Sequence, residues 1–507
     1  MPYIGNSPAE KYASFAVQHF TTSATTGYTL DHAVANENDI RLVINNVIQQ
    51  PGASYAYVAS GTTLTLSAAT AGTDTMYCVF LGKAVQTVVP AAGSVTGDML
   101  SDTVISGQSA LGAIPADTDE FLVSDAGVLK RVDYSYIKAS TTDEFRSNAE
   151  PILINGDFQI QQRRPASSAT GLTSESSSYI VPDRWCVSML NIGTWSMGNG
   201  AAGPTNYGFK KSLWMDNTAT KTPDANSLLA VSQLVESQNC QIFNWGTARA
   251  EKITVGFWIK ATKTGTNILE LLQNDSDRIC CQSYTVDVTD TWEFKVVNFP
   301  ADTSGSVNND NGPGLQIRFY LAAGSDFAGG TLATTWAARS NPNRAVGQVN
   351  NADNTDNNWQ IAGVQIELGE YTSSTIPPFQ FETVPINLLR CQRYYQEIGR
   401  GTRADNLMYF SAYNFDGTST MFGSYNFRTT MRTGPSIDQT TGTNYYTFKC
   451  NNATDDFDGV NGFRGGIDGG ELYLSGGSSV GSSSAGMAGV VMGKDASSKI
   501  ALDAELS

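Results

Sequence analysis

Histidine is nearly missing from this sequence: 507 residues hold two, His19 and His32, both near the start. A serine or cysteine nucleophile activated by an imidazole therefore has only these two bases to draw on, both in the first β segment. The one match to a nucleophile elbow, Gly477-Ser478-Ser479-Val480-Gly481, has no later histidine to complete it and reads as a Gly/Ser loop. Positive charge is also scarce, with 32 Lys and Arg against 48 Asp and Glu and a net charge of −16. No basic run exceeds a pair such as Arg163-Arg164. Phosphate backbones and anionic lipid both need clustered cations, so no nucleic-acid partner is expected. No apolar run approaches the ~20 residues that span a bilayer, and "MPYIGNSPAEKY" lacks the apolar core of a signal peptide. Membrane insertion and secretion are not expected. No CxxC pair occurs among the seven cysteines, and Cys280-Cys281 are adjacent, a spacing poorly suited to a disulfide. They read as buried thiols of a protein that folds in a reducing compartment. "NNATDDFDG" (451–459) is a partial calcium loop, but the twelfth position counted from Thr454 is Gly465 where an EF-hand needs Glu. No metal and no cofactor are expected.

What is abundant is Gly, Ser, Thr, Asn and aromatic residues, while charged residues make up 16%. That composition suits β-strands joined by many turns and disfavours solvated helices. The fold class expected is all-β, in four segments. Residues 1–90 form a β-sandwich: "DIRLVINNVIQQ" alternates Ile40, Leu42, Ile44 and crosses Asn45-Asn46, a pair suited to a two-residue hairpin turn. Residues 91–150 carry apolar residues dotted singly, with no heptad, and read as an irregular neck too apolar to stay solvated alone. From 151 to 390 alternation returns. "ITVGFWIKA" sets Val255, Phe257 and Ile259 on one face, "WEFKVVNF" sets Trp292, Phe294 and Val296 together, and "LQIRFYL" does so with Leu315, Ile317 and Phe319. All eight Trp lie between 185 and 359, and this segment reads as a jelly roll. Residues 391–507 read as a C-terminal β-sandwich with Tyr-, Asn- and Gly-rich loops.

Several motifs, in order, carry a resemblance. "NGDFQIQQR" (155–163), "PDRW" (182–185), "ITVGFWIKAT", "WQIAGVQIELG", "FETVP" and "CQRYYQ" resemble tail fibres and related receptor-binding appendages of tailed bacteriophages. "FRTTMRTGP" and the later "DAEL" extend the match, so it covers 151–507. "MPYIGN", "INNVIQQP" and "TLTLS" resemble the virion-attachment end of such fibres, and "DEFLVSDAGVLKRVDYS" resembles their connecting segment. The resemblance implies an N-terminal anchor bound to a phage tail protein, a trimerising neck, and a C-terminal half that binds a host surface polysaccharide. It implies a homotrimer made in the host cytoplasm and carried on the virion tail. The opening "NGDF" also resembles that of carbohydrate-binding jelly rolls that hold a structural calcium, whose acidic pair falls here on Ala362 and Gly363.

Sugar rings are held by flat aromatic faces beside amides and carboxylates. Trp185, Trp195, Trp214 and Trp336 lie in or near loop-like sequence and are candidate platforms, whereas Trp258, Trp292 and Trp359 sit on strands and are assigned to the core. The loops of 401–475 are the other candidate, being adaptable and rich in Tyr. They place Asp455, Asp456, Asp458, Tyr445 and Tyr446 as glycan contacts, alongside Trp195 and Trp214. Catalytic residues are not identified, and the chain is expected not to be an enzyme. The alternatives are a polysaccharide depolymerase on the same appendage, which needs only two facing carboxylates, and a purely structural tail connector.

Overall fold

A computed structural model describes residues 15–81, 109–113, 115–137, 150–164, 166–401, 408–477 and 480–506. The chain divides into a first unit ending at Ile114 and a second unit from Pro115 onward. It is all-β, built from β-sandwiches, as its composition predicts.

In the first unit, the strands Val17–Phe20, Met76–Phe80, Ile40–Ile44 and Val47–Ile48 form a four-stranded sheet in that order, and Gly27–Val34 pairs with Tyr57–Leu66. Leu30 and Leu64 from one sheet meet Ile40, Leu42 and Cys78 from the other in a single core. Asn45 and Asn46 both take positive φ (48° and 64°) and close the Ile44–Val47 pair, the turn that two adjacent asparagines favour.

The neck is more regular than its scattered apolar residues imply. Glu120–Asp125 and Val128–Asp133 pair antiparallel across Ala126 and Gly127, both at positive φ (50° and 83°). Cross-strand ion pairs join Glu120 to Arg131 and Asp125 to Lys130. The rest of the expected neck, 91–108, 114 and 138–149, lies outside the described residues.

The next sandwich has a seven-stranded sheet ordered Glu175–Tyr179, Cys186–Leu190, Leu228–Glu236, Pro313–Ala323, Gly265–Gln273, Arg278–Val286, Ala337–Ala338. Facing it is a six-stranded sheet ordered Glu293–Phe299, Ile253–Ala261, Asn358–Leu368, Ser212–Ala219, Thr194–Ala201, Ser168–Leu172. Val255, Phe257, Ile259, Leu315, Ile317 and Phe319 fill the shared core, as their alternation requires.

"NGDF" is a buried turn that pins this sandwich together. The Asn155 side chain donates to the carbonyls of Ile160 (3.0 Å) and Asp183 (2.9 Å) and accepts from Ile160 N (2.9 Å), while the Asn155 carbonyl accepts from Trp185 Nε1 (3.0 Å). A Cβ on Gly156 would lie 2.3 Å from the Val364 carbonyl, so only glycine fits. The residues do not fit a calcium ion here. Ala362 and Gly363 bring no carboxylate, and Asp157, whose carboxyl burial pushes up, is held by Asn387 Nδ2 at 3.2 Å. No cluster of three or more His, Cys, Asp or Glu able to hold a metal occurs among the described residues. All seven cysteines are buried and free.

The outer side of the seven-stranded sheet is covered by the chain itself. Phe327, Leu332 and Ala345 pack over Ile268, Ile279 and Tyr320, and Cys391, Tyr394 and Leu506 pack over Cys186 and Leu234. Two carboxylates are sealed under these covers. Glu270 takes Arg344 Nε (2.6 Å) and Nη2 (2.5 Å), and Glu236 takes Arg393 Nε and Nη2 (2.7 Å each) and the Tyr394 hydroxyl (2.5 Å).

The C-terminal body follows a helix, Val384–Gln392, which takes up the first two residues of "CQRYYQ". It has a seven-stranded sheet (Ala453–Phe457, Tyr446–Cys450, Ala488–Gly493, Met408–Asn414, Met421–Asn426, Gly469–Leu474, Gly462–Gly465) and a three-stranded one (Tyr395–Arg400, Lys499–Asp503, Ser436–Gln439) around one core. A charged seam joins it to the preceding sandwich. Arg163 bonds Asp503 (2.9 Å) and Glu505 (3.1 Å), and Arg184 pairs with Glu505 while its guanidinium lies 3.5 Å from the Tyr394 ring centroid.

Candidate functional site

The outer face of the six-stranded sheet carries the half-buried rings of Trp258, Phe294 and Trp214 beside the exposed ring of Tyr207. Its residues follow from strand parity: with Phe257 and Ile259 in the core, Trp258 and Lys260 point outward. Register carries the same face across the sheet. Trp258 lies opposite Phe294, and Lys260, Gln360, Trp214 and Gly198 form a continuous cross-strand row. The next row pairs Asn358 with Asp216 and Asp216 with Ser196.

Two ring platforms result. Tyr207, 60% exposed, ends the short turn Thr205–Tyr207 and lies 4.2 Å from the Trp258 ring centroid at 36°. Phe294 backs Trp258 from the other side at 5.2 Å. The turn is set by Gly208 (φ 88°), where a Cβ would press on the Phe381 ring at 3.2 Å. The second platform is Trp214. Its indole lies over the bare backbone of Gly198, where a Cβ would fall 2.5 Å from the ring. Two strand spacings and one two-residue step separate Trp258 from Trp214, about 12 Å.

Polar groups stand between and beside the rings. Gln360 donates to Asn358 Oδ1 (2.7 Å) and accepts from Ser212 Oγ (3.4 Å), and Lys260 Nζ lies 5.7 Å from the Trp292 ring centroid. Rings beside amides, an ammonium and the Asp216 carboxylate can stack on a sugar's apolar face and bond its hydroxyls. In these two rows Asp216 is the one carboxylate, while a glycosidase needs a facing pair. The Cys186 and Cys280 thiols belong to the other sheet, and burial pushes both up to about 12.

The residues singled out from sequence fall elsewhere, Trp214 excepted. Trp195 is wholly buried in the jelly-roll core on the strand Thr194–Ala201, with Nε1 donating to the Ile192 carbonyl at 2.8 Å, and it has no face to offer a sugar. Trp185 and Trp336 are likewise buried. "NNATDDFDGVNGFRG" is not a free loop but contains the strands Ala453–Phe457 and Gly462–Gly465. Asp455 is fully buried and accepts from the backbone N of Ser482 (2.7 Å) and Ser483 (3.1 Å). Asp456 is buried and pairs with Lys494 Nζ at 2.7 Å. Tyr446 is buried, its hydroxyl bonded to the carbonyls of Thr440 and Lys499 (2.6 Å each). Asp458 is exposed, accepting from Asn444 N at 2.9 Å, and Tyr445 is half-buried. "GTRADN" (Thr402 to Asn406 within it) and Ser478-Ser479 lie outside the described residues. Tyr207, Lys260, Gln360, Asn358 and Asp216 are not foreseen from sequence, and Trp258 and Trp292 are assigned there to the core; strand parity is the signal that marks Trp258, which falls between two core positions.

No known family and no curated protein matches the chain in sequence. Among solved structures it is similar to the bacteriophage CBA120 tailspike protein 4 enzymatically active domain, at 14% identity and TM-score 0.21, over 36% of this chain and 19% of that one. It thus spans about a fifth of that tailspike domain. It is also similar to TmCBM61, solved in complex with β-1,4-galactotriose (10% identity, TM-score 0.23, 43% of this chain and 99% of that one). A family 11 carbohydrate-binding module of a Clostridium thermocellum cellulase is similar at 10% identity and TM-score 0.21, over 40% of this chain and 97% of that one. These scores are low. Function has to be argued from the chain's own residues.

Proposed function

We propose that this chain is a non-enzymatic, homotrimeric tail fibre or tail adhesin of a tailed bacteriophage, and that its jelly roll binds a host surface glycan on the outer face of the six-stranded sheet. The observation that carries the glycan reading is the pair of ring platforms, Tyr207-Trp258-Phe294 and Trp214, flanking Lys260, Gln360 and Asn358. Tyr207 is exposed and Trp258, Phe294 and Trp214 are half-buried, so partly open rings with polar neighbours gather on one face, as at a binding site. The virion role rests on the ordered sequence motifs, with the first unit as the anchor on the tail. A single sugar site near 1 mM contributes only about 4 kcal/mol, and copies on one rigid assembly raise apparent affinity by about 10²–10⁴.

The test is binding of the full chain to host surface polysaccharide. Tyr207→Ala with Trp258→Ala, or Trp214→Ala, is expected to abolish retention on the polysaccharide and adsorption to cells without changing the melting temperature by more than a few degrees. Full binding by both folded variants overturns this placement. New reducing ends released from the polysaccharide would identify a depolymerase instead, and a protein that binds no cells would act as a connector.

A further inference from the structure

We infer that the outward face of the helix Val384–Gln392 is buried against a second copy of the same chain. This deepens the homotrimer reading above and rests on it for the number of copies. An ordinary surface helix buries its apolar stripe and shows water its polar one. Here an aliphatic side stays outside, while the inward side mixes polar residues with Leu388 and Cys391. Asn387, Cys391 and Gln392 face inward, with Asn387 bonded to Asp157 and Gln392 Nε2 donating to Gln162 Oε1 at 3.3 Å. Val384, Ile386 and Leu389 face water, exposed by 58%, 54% and 46%. The inward amides of Asn387 and Gln392 are stitched to the "NGDFQIQQR" turn, so specific bonds hold the orientation and the helix cannot roll to hide its outer aliphatic side.

Two observations point to a copy of this chain as the occupant. One is charge. A chain of net charge −16 repels itself over most of its surface. Beside this face the charges are already matched, with Arg390 paired to Glu150 (2.9 Å) and Glu382 (2.8 Å). The other is continuity with the neck. Arg390 Nη2 also donates to the Pro151 carbonyl at 2.6 Å, so the helix stands where the chain arrives from the neck. The hairpin upstream exposes apolar residues on both its faces, among them Phe121, Leu122, Val128 and Leu129. A lone two-stranded hairpin is marginal in water. Copies that meet at the helix bring their neck segments together, and each covers what the others expose.

Light scattering on the full chain at micromolar concentration tests the idea, with wild type expected at three times 54.3 kDa. Ile386→Glu with Leu389→Glu should fall to a single chain mass while keeping its circular dichroism spectrum, since both side chains point away from the fold. A folded double variant that keeps the wild-type mass overturns this face and leaves the trimer standing. Leu389→Cys gives a second readout. The seven native thiols are buried, so a short bis-maleimide should link chain to chain through that position, and no linked product counts against the contact. A monomeric wild type that still binds polysaccharide removes self-association and leaves the glycan site intact.

Discussion

Replacing Glu505 by alanine should unfasten the seam between the two bodies of the second unit. Its carboxylate is shared by two guanidinium groups, Arg184 (1% exposed) and Arg163 (9% exposed). After the substitution Arg163 keeps Asp503 at 2.9 Å, while Arg184 keeps the Leu234 carbonyl (2.6 Å) and the Tyr394 and Tyr179 rings but no carboxylate. One buried charge is thus left without its counter-ion, a loss of about 3–5 kcal/mol. In a body this long, at about 2 °C per kcal/mol, the melting temperature should drop by about 6–10 °C. Glu505→Gln keeps the shape and an acceptor and should cost less, about 1.5–3 kcal/mol, the worth of a hydrogen bond to a charged group. Arg184→Met combined with Glu505→Leu removes both charges and should recover most of the loss, because a buried ion pair exchanged for apolar residues is often neutral. Differential scanning calorimetry on the four proteins reads the cycle. If Glu505→Ala melts within a degree of wild type, the two arginines are not relying on that carboxylate and the reasoning fails.

Three further outcomes follow from the placements above. Asp455→Ala strands the amides of Ser482 and Ser483 inside the C-terminal body and should cost about 2–4 kcal/mol in denaturant titration, whereas Asp458→Ala should leave the midpoint in place. Trp195→Ala should cost about 3–5 kcal/mol through the cavity it opens, while Trp258→Ala, three strands away on the outer face, should act mainly on glycan retention. Acid should weaken the second unit as pH falls below the unfolded carboxylate value of about 4. Burial pushes the Glu236 and Glu270 carboxyls up, but their arginine and tyrosine partners outweigh it, so both sit below the ordinary value. A lowered folded value means stability that is full above the unfolded value and is lost as pH falls through the folded one. Glu236→Gln should flatten that acid limb in a pH series of melting temperatures, and an unchanged slope would contradict the assignment.

Period two in "ITVGFWIKA" and "LQIRFYL" located the jelly-roll core correctly, because those strands bury one face completely. The same period sends Trp258 outward, yet residue type argues for the core, and for Trp258 and Trp292 residue type misleads. Trp195 misleads the other way: it stands beside "NIGT", a turn-like stretch, but begins a central strand. "NNATDDFDG" reads as loop since Asn and Asp are poor strand formers. The structure makes Ala453–Phe457 a strand by giving the Asp455 carboxylate two backbone amides to hold. The neck hairpin closes on Ala-Gly, not on the Asn-Gly that announces such turns, and so its regularity is invisible to composition. The helix Val384–Gln392 hides for a different reason, since three of its aliphatic residues, Val384, Ile386 and Leu389, mark the outside.

The self-covered back of the seven-stranded sheet leaves the jelly roll with a single working side, and that side is separable from what keeps the module folded. Each outward ring alternates with an inward one: Trp258 with Phe257 and Ile259, Trp214 with Leu213 and Met215. Selection can therefore rewrite every second residue of these strands while the intervening ones stay fixed. Under the proposed glycan reading, Tyr207, Trp214, Trp258 and Lys260 are exchangeable one at a time, with each intermediate still folding. Gly198 adds a finer control, because any side chain there would lift the Trp214 indole off the sheet and change the depth of the site.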